Sequence, residues 1–206
     1  MVLGLRSIAS QRHYIFLQQN KLLAVHKGYN HYGLDLNHFV DVDNKTIVYY
    51  TQEFQSGSGI WWNNYFFYKY DGNKLLPVLK ELKDGNSQLF WGFRAWELVS
   101  TVQSTNPLRI KMVYYIQLPD TAMADGGPLL VDDSTVVEYR WNEKSKRLEG
   151  NYQASKLNSS QILSYSLHGN DILFINAHYK ILKNSLYNPS VRLATLNYLR
   201  IVKDHY

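Results

Sequence analysis

Trp61, Trp62, Asn63 and Asn64 open the stretch WWNNYFFYKYDGNKLLPV, residues 61–78. Two indoles beside two amides form a recognisable binding chemistry. The rings take the C–H faces of sugars or apolar side chains, and the amides donate and accept hydrogen bonds. Neighbouring residues of a strand point to opposite faces, so one of the two tryptophans is expected to lie away from the core. These four residues are the candidate ligand-binding site, for a glycan or a protein partner. The competing use of the same rings is to fill a core between a sheet and helices.

Other chemistries find less support. No G-x-S-x-G occurs, and Gly57-Ser58-Gly59 reads as a linker-like loop, so no catalytic residue is assigned. The chain has no cysteine, which excludes a thiol nucleophile, disulfides and cysteine-held zinc or iron–sulfur centres. His26, His31 and His38 fall in or near a probable loop without the spacing of a zinc helix, and no metal site is assigned. Neither a P-loop nor G-x-G-x-x-G is present, and no cofactor is expected. Glu53, Glu97, Asp125, Asp132, Asp133 and Glu138 could supply a glycosidase pair, which needs a separation of about 5–10 Å. A small carbohydrate-active hydrolase is therefore the alternative reading, and a structural or inhibitor protein a third.

The elements that must position these residues are mostly strands. Aromatics make up 15% of the 206 residues, a composition that suits a pleated, half-buried surface. Strands are expected at Val2–Ile8, in a hairpin over His13–Val25 turning at Gln18–Asn20, and at Thr46–Gln52. Tyr65–Tyr70 follows, then a turn at Asp71-Gly72 and a return over Lys74–Val78, with Leu79–Lys83 as a short turn or strand end. Gln88–Thr101 reads as two strands broken at Gly92, with a helix as the alternative. Ile110–Gln117, a loop over Pro119–Asp133, Thr135–Trp141 and a return over Arg147–Tyr152 complete the β body. Aromatics on both parities of Tyr65–Tyr70 require both faces to be covered, or one to bind.

From Asn158 the texture turns helical. A short helix over Gln161–Leu167 and longer ones over Asp171–Leu186 and Pro189–Tyr206 are expected, the last with Asn188 as cap and Pro189 at its first position. The fold class is thus mainly β and antiparallel, with a C-terminal helical hairpin. Residues 1–157 form the β-rich body and 158–206 the helical segment packed on it, as a single domain.

The hairpins look repeated. NKLLAV at Asn20–Val25 matches NKLLPV at Asn73–Val78 in five of six positions, and IVYYTQ at Ile47–Gln52 matches MVYYIQ at Met112–Gln117 in four. An acidic D-x-D segment, a Gly-rich loop, an aromatic strand and a DGNKL hairpin over Asp41–Val78, with an echo at 109–150, resemble the FG-GAP/VCBS-type repeats of bacterial exported proteins. That resemblance implies a partial propeller or one twisted sheet, and an exported or periplasmic location. Members of that family often bind calcium through D-x-D-x-D-G. Here Asp41 and Asp43 lack the glycine, and Lys45 stands where an oxygen ligand is wanted, so no calcium is expected.

The surface charge is mixed. Twenty-two basic residues face 17 acidic ones, a net charge of +5. No basic run exceeds two residues, so no nucleic-acid partner is expected. No apolar stretch approaches the ~20 residues of a membrane helix, and MVLGLRSIAS lacks the apolar core of a signal peptide, so a cytoplasmic protein and the mature part of an exported one are both expected from the residues. The expected function is a non-catalytic binding or interaction module.

Overall fold

The computed structural model describes residues 2–8, 11–28, 36–55, 60–87, 93–120, 126–152 and 170–206. Among the described residues, eleven strands form two antiparallel sheets. The small one orders β1 (Val2–Ile8), β2 (Gln11–Gln18) and β3 (Lys21–Gly28). The large one runs as an uninterrupted meander, through β4 (Asn37–Val40), β5 (Thr46–Gln55), β6 (Ile60–Asp71), β7 (Lys74–Ser87), β8 (Ala95–Thr105), β9 (Leu108–Gln117), β10 (Leu129–Asn142) and β11 (Arg147–Gly150). It is an open, twisted sheet rather than a closed barrel.

The turns explain the meander. Gln19 and Asn20 both take positive φ, 44° and 66°, as a tight two-residue hairpin demands. Gly72 does the same at 60°. Because Asp71 still pairs with Lys74, the turn residues are Gly72 and Asn73 rather than Asp71-Gly72. Between β4 and β5, the Asp41 carboxylate accepts from the backbone N–H groups of Asp43 and Lys45, which folds the corner locally.

Two apolar clusters sit on opposite faces of β5 and β6. Ile47, Tyr65 and Phe67 join a large core with Leu98, Ile110, Met112 and Tyr139. Val48 and Tyr50, with Phe66 and Tyr68 beside them, pack against Tyr14 and Phe16 of the small sheet. The double parity of aromatics in β6 follows directly: one parity faces the main core and the other faces a second sheet.

Among the described residues, three helices cover the main core: α1 (Asp171–Ala177), α2 (Tyr179–Ser185) and α3 (Pro189–His205). Phe174, Leu182, Ala194, Tyr198 and Val202 enter the same cluster as the sheet residues. Asn188 caps α3 through the Ser190 N–H, with Pro189 in the first turn. Asp171 is buried at the start of α1. It accepts from Arg94 at 2.8 Å and from the Tyr198 hydroxyl at 2.8 Å, so one carboxylate ties two helices to the residue before β8.

Several expectations are corrected. The segment Leu79–Lys83 does not end its strand, since β7 continues to Ser87. Register slips at Asn63/Asn64 and Phe67/Tyr68 let the long strand bend without breaking. The loop from Pro119 stops before Leu129, so Asp132 and Asp133 lie within β10. Asp171–Leu186 is two helices, broken at His178, whose φ of −113° leaves the helical range. Its ring Nδ1 lies 3.0 Å from the Phe174 carbonyl, competing with helical hydrogen bonding at that turn. Gln161–Leu167, the SGSG loop and Gly92 lie outside the described residues.

Candidate functional site

The two tryptophans part company in the sheet. Trp62 pairs with Gly85, which pairs with Leu98, which pairs with Tyr114. Leu98 and Tyr114 are core residues, and Trp62 packs half-buried against that core. Gly85 is what admits it: a Cβ there would lie 2.8 Å from the Trp62 Cβ and 2.8 Å from the Trp61 carbonyl oxygen. Without a side chain the strands close to a distance no other residue permits.

Trp61 heads the neighbouring row, which faces the other way. Its partner is Asn86, followed by Glu97, Tyr115 and Asp132 across β7 to β10. Trp61, Asn86, Glu97 and Tyr115 are partly exposed and Asp132 is exposed. This row lies on the side of the sheet turned away from the helices, because alternation has already committed Trp96, Leu98, Tyr114 and Ile116 to the core. A depression of about 190 Å³ is lined by Asn86, Ser87, Ala95, Trp96, Glu97, Tyr115 and Gln117.

The remaining two candidate residues divide as well. Asn63 donates to the Asp84 carboxylate at 2.6 Å and stays partly exposed, one step along the strand from Trp61 on the same side. Asn64 is 7% exposed. It sits at the register slip, where alternation gives way and Tyr65 beside it is buried too.

Tyr115 couples the row electrically. Partial burial, then the Glu97 carboxylate to which it hydrogen-bonds, then Asp132, all push its phenol above the usual range. It therefore stays a neutral hydroxyl between two carboxylates. Strands are about 4.8 Å apart, which places Glu97 and Asp132 about 10 Å from one another at the backbone.

The other candidate acids are spent elsewhere. Glu138 accepts from Arg109 and Arg140, and those hydrogen bonds hold its carboxyl below the usual range. Asp133 accepts from the Ser134 N–H. Asp125 and the Glu53 side chain lie outside the described residues. Asp41 and Asp43 flank the Lys69 ammonium, at 2.7 and 3.0 Å, so a side-chain cation stands where calcium would be sought. That ammonium also lies 3.9 Å from the centre of the Trp141 ring. Burial alone would lower the Lys69 pKa, but the hydrogen bonds it donates to both aspartates, with their charges, outweigh that and raise it.

The histidines do not assemble. His26 contacts Tyr50 through a 3.1 Å hydrogen bond and lies tilted against Tyr68, and burial lowers its pKa. His38 is exposed on β4, and His31 lies outside the described residues. Among the described residues, no group of three or more His, Cys, Asp or Glu is placed to hold a metal ion.

Two features escaped the sequence reading. Tyr115 and Gln117 were legible as the outward parity of IKMVYYIQ, but nothing local linked them to Trp61 across three strands. Glu81 is 3% exposed and accepts from the Tyr139 and Tyr152 hydroxyls at 2.6 and 2.8 Å. A lone glutamate after KLLPVLK carries no sign of that burial.

No protein-family model matches the chain, and no match was found among curated proteins or among solved structures.

Proposed function

We propose that this chain is a non-catalytic binding module whose ligand, a glycan, lies along the outward face of β6 to β10. The supporting observation is the row Trp61–Asn86–Glu97–Tyr115–Asp132, one aromatic plane followed by an unbroken file of polar groups. A sugar chain has the matching chemistry: C–H faces for the indole, and hydroxyls that both donate and accept. Asn63 extends the polar edge beside Trp61. Trp62 and Asn64 act beneath the surface, holding the strand that presents Trp61. A rigid sheet offers the ligand little ordering cost, which favours shallow recognition.

The test is a glycan array probed with the wild-type chain and with Trp61→Ala. Wild-type signal that falls by roughly thirtyfold in the variant, about 2 kcal/mol for loss of a tryptophan anchor, supports the reading. Signal equal in both proteins, or none in either, removes it.

A second reading is favoured by one observation. Glu97 and Asp132 flank Tyr115 on one face, at a backbone spacing near the upper end of the ~6.5–9.5 Å carboxyl separation of inverting glycosidases. Hydrolysis of an array-positive glycan that is abolished in Glu97→Gln, with binding retained, would replace the binding module by a hydrolase.

A further inference from the structure

The helical layer turns an unusual face to solvent. Tyr187 is 80% exposed, Leu193 59% and Leu196 46%. Together with Leu186, Pro189 and Arg192 they line one groove at the α2–α3 corner. Single exposed leucines are ordinary, but a shared apolar groove on adjoining helices marks a contact surface. On α3 the outward stripe continues from Leu193 and Leu196 to Arg200 and Lys203, at steps of three and four residues.

Arg192 lines the groove, and most other charges on the same helices are also positive, with the buried Asp171 and the exposed Asp204 standing at the two ends. From position 172 to 203 the sequence holds five lysines and arginines and no aspartate or glutamate. Lys180, Lys183, Arg192, Arg200 and Lys203 are all exposed. Among the described residues none of the five forms an ion pair with a carboxylate, whereas basic residues of the sheet do, as Arg109 does with Glu138 and Lys146 with Glu143.

We infer that this face docks on an anionic lipid surface. Exposed apolar side chains on helices that also carry cations without carboxylate partners, with a tyrosine beside them, are what an interfacial helix presents to headgroups and the acyl boundary. A second copy of the chain would set the same cations against themselves, which like-charge repulsion opposes. Docking through the helices leaves the Trp61 row pointing away from the membrane, on the opposite side of the sheet.

Vesicle co-sedimentation tests this with the full chain. Phosphatidylcholine vesicles are compared with vesicles that also contain phosphatidylglycerol, at low and high salt. The expected result is sedimentation with the anionic vesicles alone, weakened by salt. Leu193→Ser/Leu196→Ser should abolish it, with circular dichroism and melting unchanged. Lys183→Glu/Arg192→Glu should lower the partition by at least about tenfold, since each cation at an anionic surface contributes about fivefold. Equal sedimentation with both vesicle types, or none with either, overturns the inference. So does concentration-dependent self-association that the serine variants remove, which would assign the groove to a second copy.

Discussion

Trp61 and Trp62 are adjacent and chemically identical, yet they face different worlds. Trp62 rests on Gly85 and the main core, so Trp62→Ala should cost about 2 kcal/mol of stability, less than a fully buried tryptophan. Trp61→Ala removes a partly exposed ring and should leave the urea midpoint nearly unchanged. Equilibrium unfolding of the two variants checks both values together, and equal losses would mean the rings share a single environment. Lys69 carries a different lesson. It is 4% exposed and flanked by Asp41 and Asp43. Lys69→Met strands the largely buried Asp41 carboxylate, an expected loss of about 3 kcal/mol in urea melts near neutral pH. The pH dependence has a definite sign. The folded pKa of Lys69 lies above the unfolded value of ~10.5, so its contribution is full below that value and fades as pH rises through the folded one. The wild-type advantage over the methionine variant should therefore shrink on the alkaline side. An advantage that grew with pH would contradict the pairing.

Strands and hairpins were largely legible in the sequence, and the reasons are local. TIVYYTQ and IKMVYYIQ are β-formers throughout, and Gln-Asn and Gly-Asn supply the positive φ that tight turns need. The two NKLL segments occupy the same place in their hairpins, the last turn residue and the first residues of return strands β3 and β7. Strand length was less legible. Nothing in ELKDGNS announces that β7 continues to Ser87, because what sustains it is pairing with β6 and β8. The helix break at His178 was hidden for a similar reason. INAHYKI has helical spacing, and the interruption appears only where a buried ring meets the Phe174 carbonyl. A buried ion pair adds to the apolar contacts that hold the helices on the sheet. Arg94→Met leaves Asp171 without its ion pair beneath two helices, and a loss of about 3–5 kcal/mol is expected. Hydrogen exchange should show 170–206 losing protection ahead of the sheet. Uniform loss would show that the helices do not rely on that ion pair.

At the scale of the whole molecule, an eight-stranded meander separates two surfaces of different character. Its helical side is basic and apolar, and its outward side carries one tryptophan and a polar file. The fold class followed from composition and periodicity. The proposed row did not, because its members come from β6, β7, β8, β9 and β10, and register alone brings them together. The sequence singled out Trp61, Trp62, Asn63 and Asn64 for their chemistry, and separately offered Glu97 and Asp132 among candidate acids. Only the cross-strand row joins the two sets. The most direct test of that row is a nuclear magnetic resonance titration of the labelled chain with the strongest array glycan. The Trp61 indole N–H and the side-chain amides of Asn63, Asn86 and Gln117 should shift together and saturate at one affinity, with the signals of 170–206 unmoved. Shifts confined to the helices, or scattered without a common affinity, would contradict the account.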